Sequence, residues 1–312
     1  MIVSLLKQLP AAFGKFLTYH LRRMTGSAQA SAAPVSGPVI PPADADFHIG
    51  LAEPFAANVT WHAHDQPDES DELRQTALYQ LWLTIPDGNK WSQYFWIYER
   101  VFASLRHEKL KILEIGVLRG SSLRLWREYF DDPETVIVGL DIDPKCAQYA
   151  KPDRGVHVMI GNQVDRAFLA DVVSRHGPFD IIIDDGSHIS SQIIATFNAL
   201  FLDGLKESGL YVVEDLHTSY WPGWRNSELS FIDVAKQIVE LMHSHYRRAP
   251  ELGAFWKGFP GRALTLDVPL MTTKVREVRF FDSIVVIDKV SLAHPPHVIF
   301  MSKQADAKDP AP

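Results

Sequence analysis

The chain has 312 residues, 46% of them hydrophobic and 22% charged, enough apolar material for one sizeable core with extensions or for two small ones. Its 31 Lys and Arg against 38 Asp and Glu leave a net charge of −7, which argues against nucleic acid as a partner, because phosphate binding needs surplus cations. The one cysteine, Cys146, has no partner for an internal disulfide and offers no metal-binding spacing, so a reducing, cytoplasmic compartment fits.

No stretch reaches the roughly 20 apolar residues that a membrane span needs. Lys7, Lys15, Arg22 and Arg23 break up any signal-peptide core. In residues 1–25, Ile2, Leu5, Leu6, Leu9, Phe13, Phe16, Leu17, His20 and Met24 fall on one helical face, with Lys7, Lys15 and Arg22 opposite. This basic amphipathic helix, kinked or split by Pro10, suits peripheral contact with an anionic inner-membrane face over residues 2–24. It equally suits packing on the core or on a second subunit, which leaves an oligomer open. Residues 26–45 are rich in Ala, Ser, Pro and Gly without an apolar period and read as a flexible linker. The tail, 304–312, reads as disordered.

Residues 46–105 form an aromatic-rich helical cap region, with helices expected over 72–84 and 91–105. From 106 to 303 strands and helices alternate. Strands are expected at 109–115, 135–141, 156–160, 179–184 and 210–214, and helices at 121–129, 165–176 and 191–202. Near-continuous apolar runs such as Asp180–Ile183 need a sheet covered on both faces. The pattern predicts an α/β fold, a Rossmann-like doubly wound and mostly parallel sheet. Two close strands, 277–281 and 283–289, add an antiparallel hairpin at one edge. Ligands then bind at the carboxyl ends of the strands.

The turn Leu113-Glu114-Ile115-Gly116-Val117-Leu118-Arg119-Gly120-Ser121 follows the first strand. Gly116 permits a tight turn, and Gly120 lets a ligand approach the N-terminus of the helix that Ser121 opens. Alone this is an ordinary strand-to-helix turn. It gains meaning from Asp141, which ends the second strand where an acid can accept both ribose hydroxyls of an adenosine. Dinucleotide enzymes want a closer glycine pair to cradle a pyrophosphate, and Glu114 would repel one. Glu114 suits instead the cationic S-adenosylmethionine. Asn162 and Gln163, after the third strand, could read the adenine edge, or serve only as turn residues.

The fourth strand ends in Asp184-Asp185-Gly186-Ser187-His188 and the fifth in Glu214-Asp215. Side by side at one rim, these carboxylates repel one another unless a hard cation such as Mg²⁺ joins them. Taken singly, each acid could equally cap a helix. His188 lies three residues after Asp185, near enough to take a proton from a hydroxyl held there. Beyond Asp215, His217, Tyr220 and Trp221 lie in a Gly- and Pro-containing loop that suits a lid, whose flat rings match the apolar face of a sugar.

The motifs N-K-W-x-x-Y-x-x-x-Y-E-R (89–100), L-E-I-G, G-L-D-I, I-D-D-G-S-H, G-L-Y-V-V-E-D and T-S-Y-W-P-G together resemble the metal-dependent sugar O-methyltransferases of the mycinamicin and tylosin type, from about residue 89 to 290. The resemblance implies a class I methyltransferase domain over 106–303 that uses S-adenosylmethionine and Mg²⁺ or another divalent cation. It implies Asp185, Glu214 and Asp215 as metal ligands, His188 as base, and Glu114, Gly116, Gly120, Ser121, Asp141, Asn162, Gln163 and Asp184 around the cofactor. Asn162 departs from the family's usual Asp. Residues 1–45 have no counterpart in the macrolide enzymes, which widens the implied acceptor to a sugar hydroxyl on a glycan, glycolipid or glycosylated natural product. A cephalosporin hydroxylase-type relative and a non-catalytic binding module are the alternatives.

Overall fold

A computed structural model describes residues 71–248 and 267–294. The basic helix, the linker and the tail expected at 1–25, 26–45 and 304–312 lie outside the described residues. So does the first part of the cap region.

The predicted helix over 72–84 is divided in two. Thr76 adopts an extended conformation and accepts a hydrogen bond from Tyr79 N (3.2 Å), while its hydroxyl donates to Leu73 O (2.9 Å). A threonine that caps one helix in this way cannot continue the one before it. A short turn, Asp71–Arg74, therefore precedes α1 (Ala77–Trp82). Next comes α2 (Ser92–Phe102), which buries Tyr94, Phe95, Ile97, Tyr98, Val101 and Phe102. The residues that follow it, Ala103–Leu105, tighten into a 3₁₀ turn.

The strands are β1 (Lys111–Ile115), β2 (Val136–Asp141), β3 (Val156–Ile160), β4 (Phe179–Asp184), β5 (Leu205–Val213), β6 (Val275–Phe280) and β7 (Val285–Lys289). They form one seven-stranded sheet in the order β3-β2-β1-β4-β5-β7-β6. The first five strands are parallel, and β7 pairs antiparallel with both β5 and β6. This is the doubly wound class I methyltransferase sheet with its edge hairpin, as predicted. β5 begins earlier than the expected 210 because Leu205 pairs with Phe179 ahead of a bulge. The Lys206-Glu207-Ser208-Gly209 run reads like a turn in sequence, yet it stays within the strand.

The helices α3 (Ser121–Tyr129), α4 (Arg166–His176), α5 (Ser190–Leu200) and α6 (Phe231–Met242) complete the described core. One face of the sheet presents Ile112, Ile181, Ile183 and Val212 to Tyr98, Phe102 and Trp126 of α2 and α3. The other presents Leu113, Ile182, Tyr211 and Val213 to Phe197 and Phe231 of α5 and α6. Each such side chain contributes about 1.5–3 kcal/mol on full burial. Strand periodicity then fixes the rim. Glu114, Asp185 and Glu214 point to the α2–α3 side, while Asp184 points to the α5–α6 side. The order of strands reverses between β1 and β4, where a doubly wound sheet opens a crevice. Among the described residues no helix is long and apolar enough to cross a membrane.

Candidate functional site

Gly116 begins the rim. Its φ is +95°, and a Cβ there would lie 2.1 Å from the carbonyl oxygen of Asp185. Only glycine lets the β1 turn meet the β4 turn this closely. The contact is extended by hydrogen bonds from Asp185 N to Ile115 O (3.0 Å) and from Glu214 N to Asp184 O (3.0 Å). The acids beyond β4 and β5 are thus held in register by continuing ladders.

Asp185, His188 and Asp215 converge, with one ligand-type atom from each lying within 4.8 Å of the others. His188 Nε2 is 3.6 Å from Asp215 Oδ2 and 4.0 Å from Asp185 Oδ1. The histidine is 4% exposed and has φ of +58°, and Asp215 has φ of +54°. Left-handed backbone is costly for residues other than glycine, and it recurs where side chains are aimed for function. Thr218 braces this part, its hydroxyl lying 3.1 Å from His188 O and 2.7 Å from Asp215 O. The Trp224 ring lies 6.0 Å from the imidazole.

Glu214 stands apart from that trio. Lys90 Nζ donates to both of its oxygens (2.8 and 2.6 Å) and reaches Asp185 Oδ2 at 3.5 Å. The Tyr98 hydroxyl also donates to Glu214 Oε1. Tyr94, one turn earlier, donates to Asp215 Oδ1 (2.6 Å), and its hydroxyl oxygen lies 3.0 Å from Ser283 Oγ.

Burial, then the charge of Glu214, pushes the Asp185 carboxyl well above the usual range, with Lys90 opposing. Burial also raises Glu214, again against Lys90. Asp215 is also buried, but the charge of His188 and the Tyr94 hydrogen bond outweigh that and hold it low. The cluster thus carries more negative charge than its protein surroundings compensate. Its carboxylate oxygens are the donors a hard divalent cation takes, so the acids present fit such an ion.

The residues expected around a cofactor are placed less uniformly. Glu114 is fully buried, accepts from Ser122 Oγ (2.9 Å) and Trp126 Nε1 (3.0 Å), and is pushed up to about 7 by burial. Asp141 holds the β1 turn, accepting from Val117 N (2.9 Å) and Leu118 N (3.1 Å), and its other oxygen accepts from Asp143 N (2.9 Å). A carboxylate has further lone pairs for a ribose. Gly120, with φ of +71°, caps α3 ahead of Ser121. The close approach it permits is taken by the Tyr149 side chain, 2.6 Å from where a Cβ would sit. Asn162 is exposed and accepts from Val164 N (3.1 Å), as a turn residue does. Gln163 is buried and pins the β4 turn, accepting from Ser187 N (2.8 Å) and donating to Thr196 Oγ1 (3.0 Å).

Asp184 lies on the other side of the sheet, 1% exposed, and burial pushes its carboxyl up to about 7. A carboxyl raised in the folded state supplies stability that is complete below its unfolded value and is lost as pH rises through about 7. Asp184→Asn is therefore expected to flatten the loss of metal-free stability between pH 5 and pH 8 in urea unfolding, by up to about 3 kcal/mol. Equal pH slopes for both proteins would refute this reading of the carboxyl.

Of the loop residues His217, Tyr220 and Trp221, the first and last pack ring against ring just beyond Asp215. The His217 ring lies 4.6 Å from Trp221, and its Nδ1 is 2.5 Å from Ser283 Oγ. Tyr220 is 56% exposed. Trp91, to which the sequence reading gave no role, is 47% exposed and adds its ring edge-on to His217 at 5.3 Å. Lys90, Tyr94 and Tyr98 were likewise given no role. Their signal was spacing: Tyr94 and Tyr98 are four apart on one face of α2, and Lys90 lies four residues ahead of Tyr94, just before the helix begins.

No protein-family model matches the chain. It is 32% identical over 234 residues to demethylmacrocin O-methyltransferase of Streptomyces fradiae, covering 67% of this chain and 57% of that protein. It is 36% identical over 183 residues to a tetracenomycin-rhamnoside 3'-O-methyltransferase of Streptomyces olivaceus, covering 54% of this chain and 45% of that one. Mycinamicin VI 2''-O-methyltransferase of Micromonospora griseorubida is 41% identical over 134 residues, covering 41% of this chain and 32% of that one. Among solved structures, the MycE methyltransferase of the mycinamycin pathway, in complex with Mg and SAH, matches with a TM-score of 0.56 and 27% identity. That match covers 70% of this chain and 54% of MycE. The chain thus spans about half the length of the relatives it matches.

Proposed function

We propose that this chain, which belongs to the sugar O-methyltransferase family of the demethylmacrocin and mycinamicin enzymes, methylates a sugar hydroxyl on a glycosylated small molecule. The observation that carries this reading is the convergence of Asp185, His188 and Asp215 within 4.8 Å at the rim of β4 and β5. The relatives' acceptors, a macrolide sugar and a tetracenomycin rhamnoside, support a polyketide glycoside as the class. That favours a natural-product glycoside over the glycan or glycolipid that residues 1–45 left open.

S-adenosylmethionine, when bound, supplies an electrophilic methyl group on a sulfonium. A divalent ion held by Asp185 and Asp215, with Glu214 as third ligand, supplies Lewis-acid polarisation of a hydroxyl. Asp141, at the end of β2, would meet a ribose, and Glu114, buried near the end of β1, would place its carboxyl beneath a cationic amino-acid end. His188 removes the hydroxyl proton, and the oxygen's electron pair forms the new bond to carbon as the carbon–sulfur bond breaks. Trp91, His217, Tyr220 and Trp221 exclude water from above and stack on the sugar. In this reading residues 46–105 form the cap and 106–303 the transfer domain, and the reducing cytoplasm matches the single Cys146.

The test is incubation with methyl-labelled S-adenosylmethionine, Mg²⁺ and a panel of macrolide, tetracyclic polyketide and glycan acceptors. Label on a sugar oxygen is expected. An oxidised, unlabelled product would move the protein to the hydroxylase-type relatives, and binding of S-adenosylhomocysteine with no product anywhere in the panel would make it a binding module.

A further inference from the structure

Lys90 has no part in the methyl transfer described above, yet its ammonium sits inside the acid cluster. The side chain is 4% exposed, and a lysine head is almost never buried unless it is paired. Its partner Glu214 is 1% exposed, and both oxygens face the ammonium at 2.8 and 2.6 Å. Asp185 is shared between two neighbours. Its Oδ2 lies 3.5 Å from Lys90, and its Oδ1 lies 4.0 Å from His188 on the other flank. One half of the cluster, Asp185 with His188 and Asp215, already gathers ligand atoms, while the other half is held by an internal cation. The faces of Tyr94 and Tyr98, 5.7 and 5.6 Å from Nζ, stabilise the charge there.

We propose that Lys90 is the resident counter-ion of this cluster and competes with a divalent metal for it: Glu214 becomes a metal ligand when Lys90 releases it, so Lys90 sets the metal affinity. The proposal rests on the metal-assisted reading above. Its direction follows from two effects of the same sign. A metal that takes Glu214 displaces charge-assisted hydrogen bonds, and an ammonium left nearby repels the incoming ion. Removing the ammonium removes both penalties. A lysine that merely oriented Glu214 for the metal would have the opposite effect, since its loss would leave the ligand misplaced.

The measurement is calorimetric titration of the full-length, metal-free protein with Mn²⁺ and with Mg²⁺, comparing wild type with Lys90→Met and Lys90→Gln. Both variants are expected to bind metal about tenfold tighter or more, a gain of about 1.4 kcal/mol. Metal-free Lys90→Met should also melt lower than wild type, and saturating metal should recover more of its melting temperature than it adds to wild type. Unchanged or weaker metal binding by the folded variants overturns the proposal and makes Lys90 a fixed support of Glu214. Should Lys90→Met fail to fold with or without metal, Lys90→Gln, which keeps a hydrogen-bond donor, decides by the same affinity criterion. Absence of metal binding by the wild-type protein would remove the metal reading itself, and this proposal with it.

Discussion

Chelation by EDTA is expected to bring methyl transfer to background and excess Mg²⁺ to restore it, whereas Asp185→Ala should lose both turnover and metal affinity beyond rescue. Asp185 occupies the centre of the cluster, with His188 at 4.0 Å on one side and Lys90 at 3.5 Å on the other. Burial and the charge of Glu214 push its carboxyl up, so the protein alone does not hold it comfortably as an anion. A divalent ion reverses that balance and in turn polarises the acceptor. Loss of such charge stabilisation lowers the rate by about 10²–10³-fold or more. Metal titration should place the variant's affinity at least tenfold below wild type.

The folding control carries its own sign. Without metal, Asp185→Ala removes a carboxyl that burial disfavours and leaves Lys90 still paired with Glu214. Metal-free stability in urea should therefore stay level or rise. Full activity of wild type in chelator would make the acid cluster structural. A variant that unfolds in the absence of metal would show Asp185 to be needed for the fold itself.

Much of this arrangement could be read from sequence because it depends on short-range pattern. Apolar runs such as Ile181-Ile182-Ile183 require a sheet covered on both faces, and the acids that follow such runs must arrive at the strand ends. Asp185, Glu214 and Asp215 were therefore legible as neighbours, and His188 followed from its spacing. What escaped was the partition among them. Lys90 and Glu214 are 124 positions apart, and no local period tells which face of α2 meets which end of the sheet. Ser283 likewise reaches Tyr94 and His217 because the β6–β7 turn folds back over the end of β5. Gln163 read as an adenine contact or, taken alone, more readily as turn chemistry. Its bonds to Ser187 and Thr196 exist only once β3 and β4 flank β1 and β2. The division of the 72–84 helix had a visible cause in Thr76, but a threonine in an amphipathic run does not announce whether it caps or continues.

His188→Ala is expected to separate proton removal from metal binding, with turnover falling by about 10²–10⁴-fold, the scale of a lost general base. The imidazole is suited to that task by its placement. It stands on left-handed backbone, φ +58°, braced by Thr218 at its carbonyl and by the Trp224 ring at 6.0 Å, with Nε2 3.6 Å from Asp215 Oδ2. Asp215 is held ionised beside it, and an anion there stabilises the imidazolium that forms when the proton moves. Calorimetry should find S-adenosylhomocysteine binding unchanged and Mg²⁺ binding within about threefold of wild type, since a base need not ligate the metal. The same convergence within 4.8 Å also allows the imidazole to be a ligand. In that event His188→Ala would lose metal affinity as Asp185→Ala does, and added Mg²⁺ would recover part of its rate. Near-normal turnover at neutral pH would instead leave deprotonation to the metal, with His188 reduced to anchoring the turn that carries Asp185.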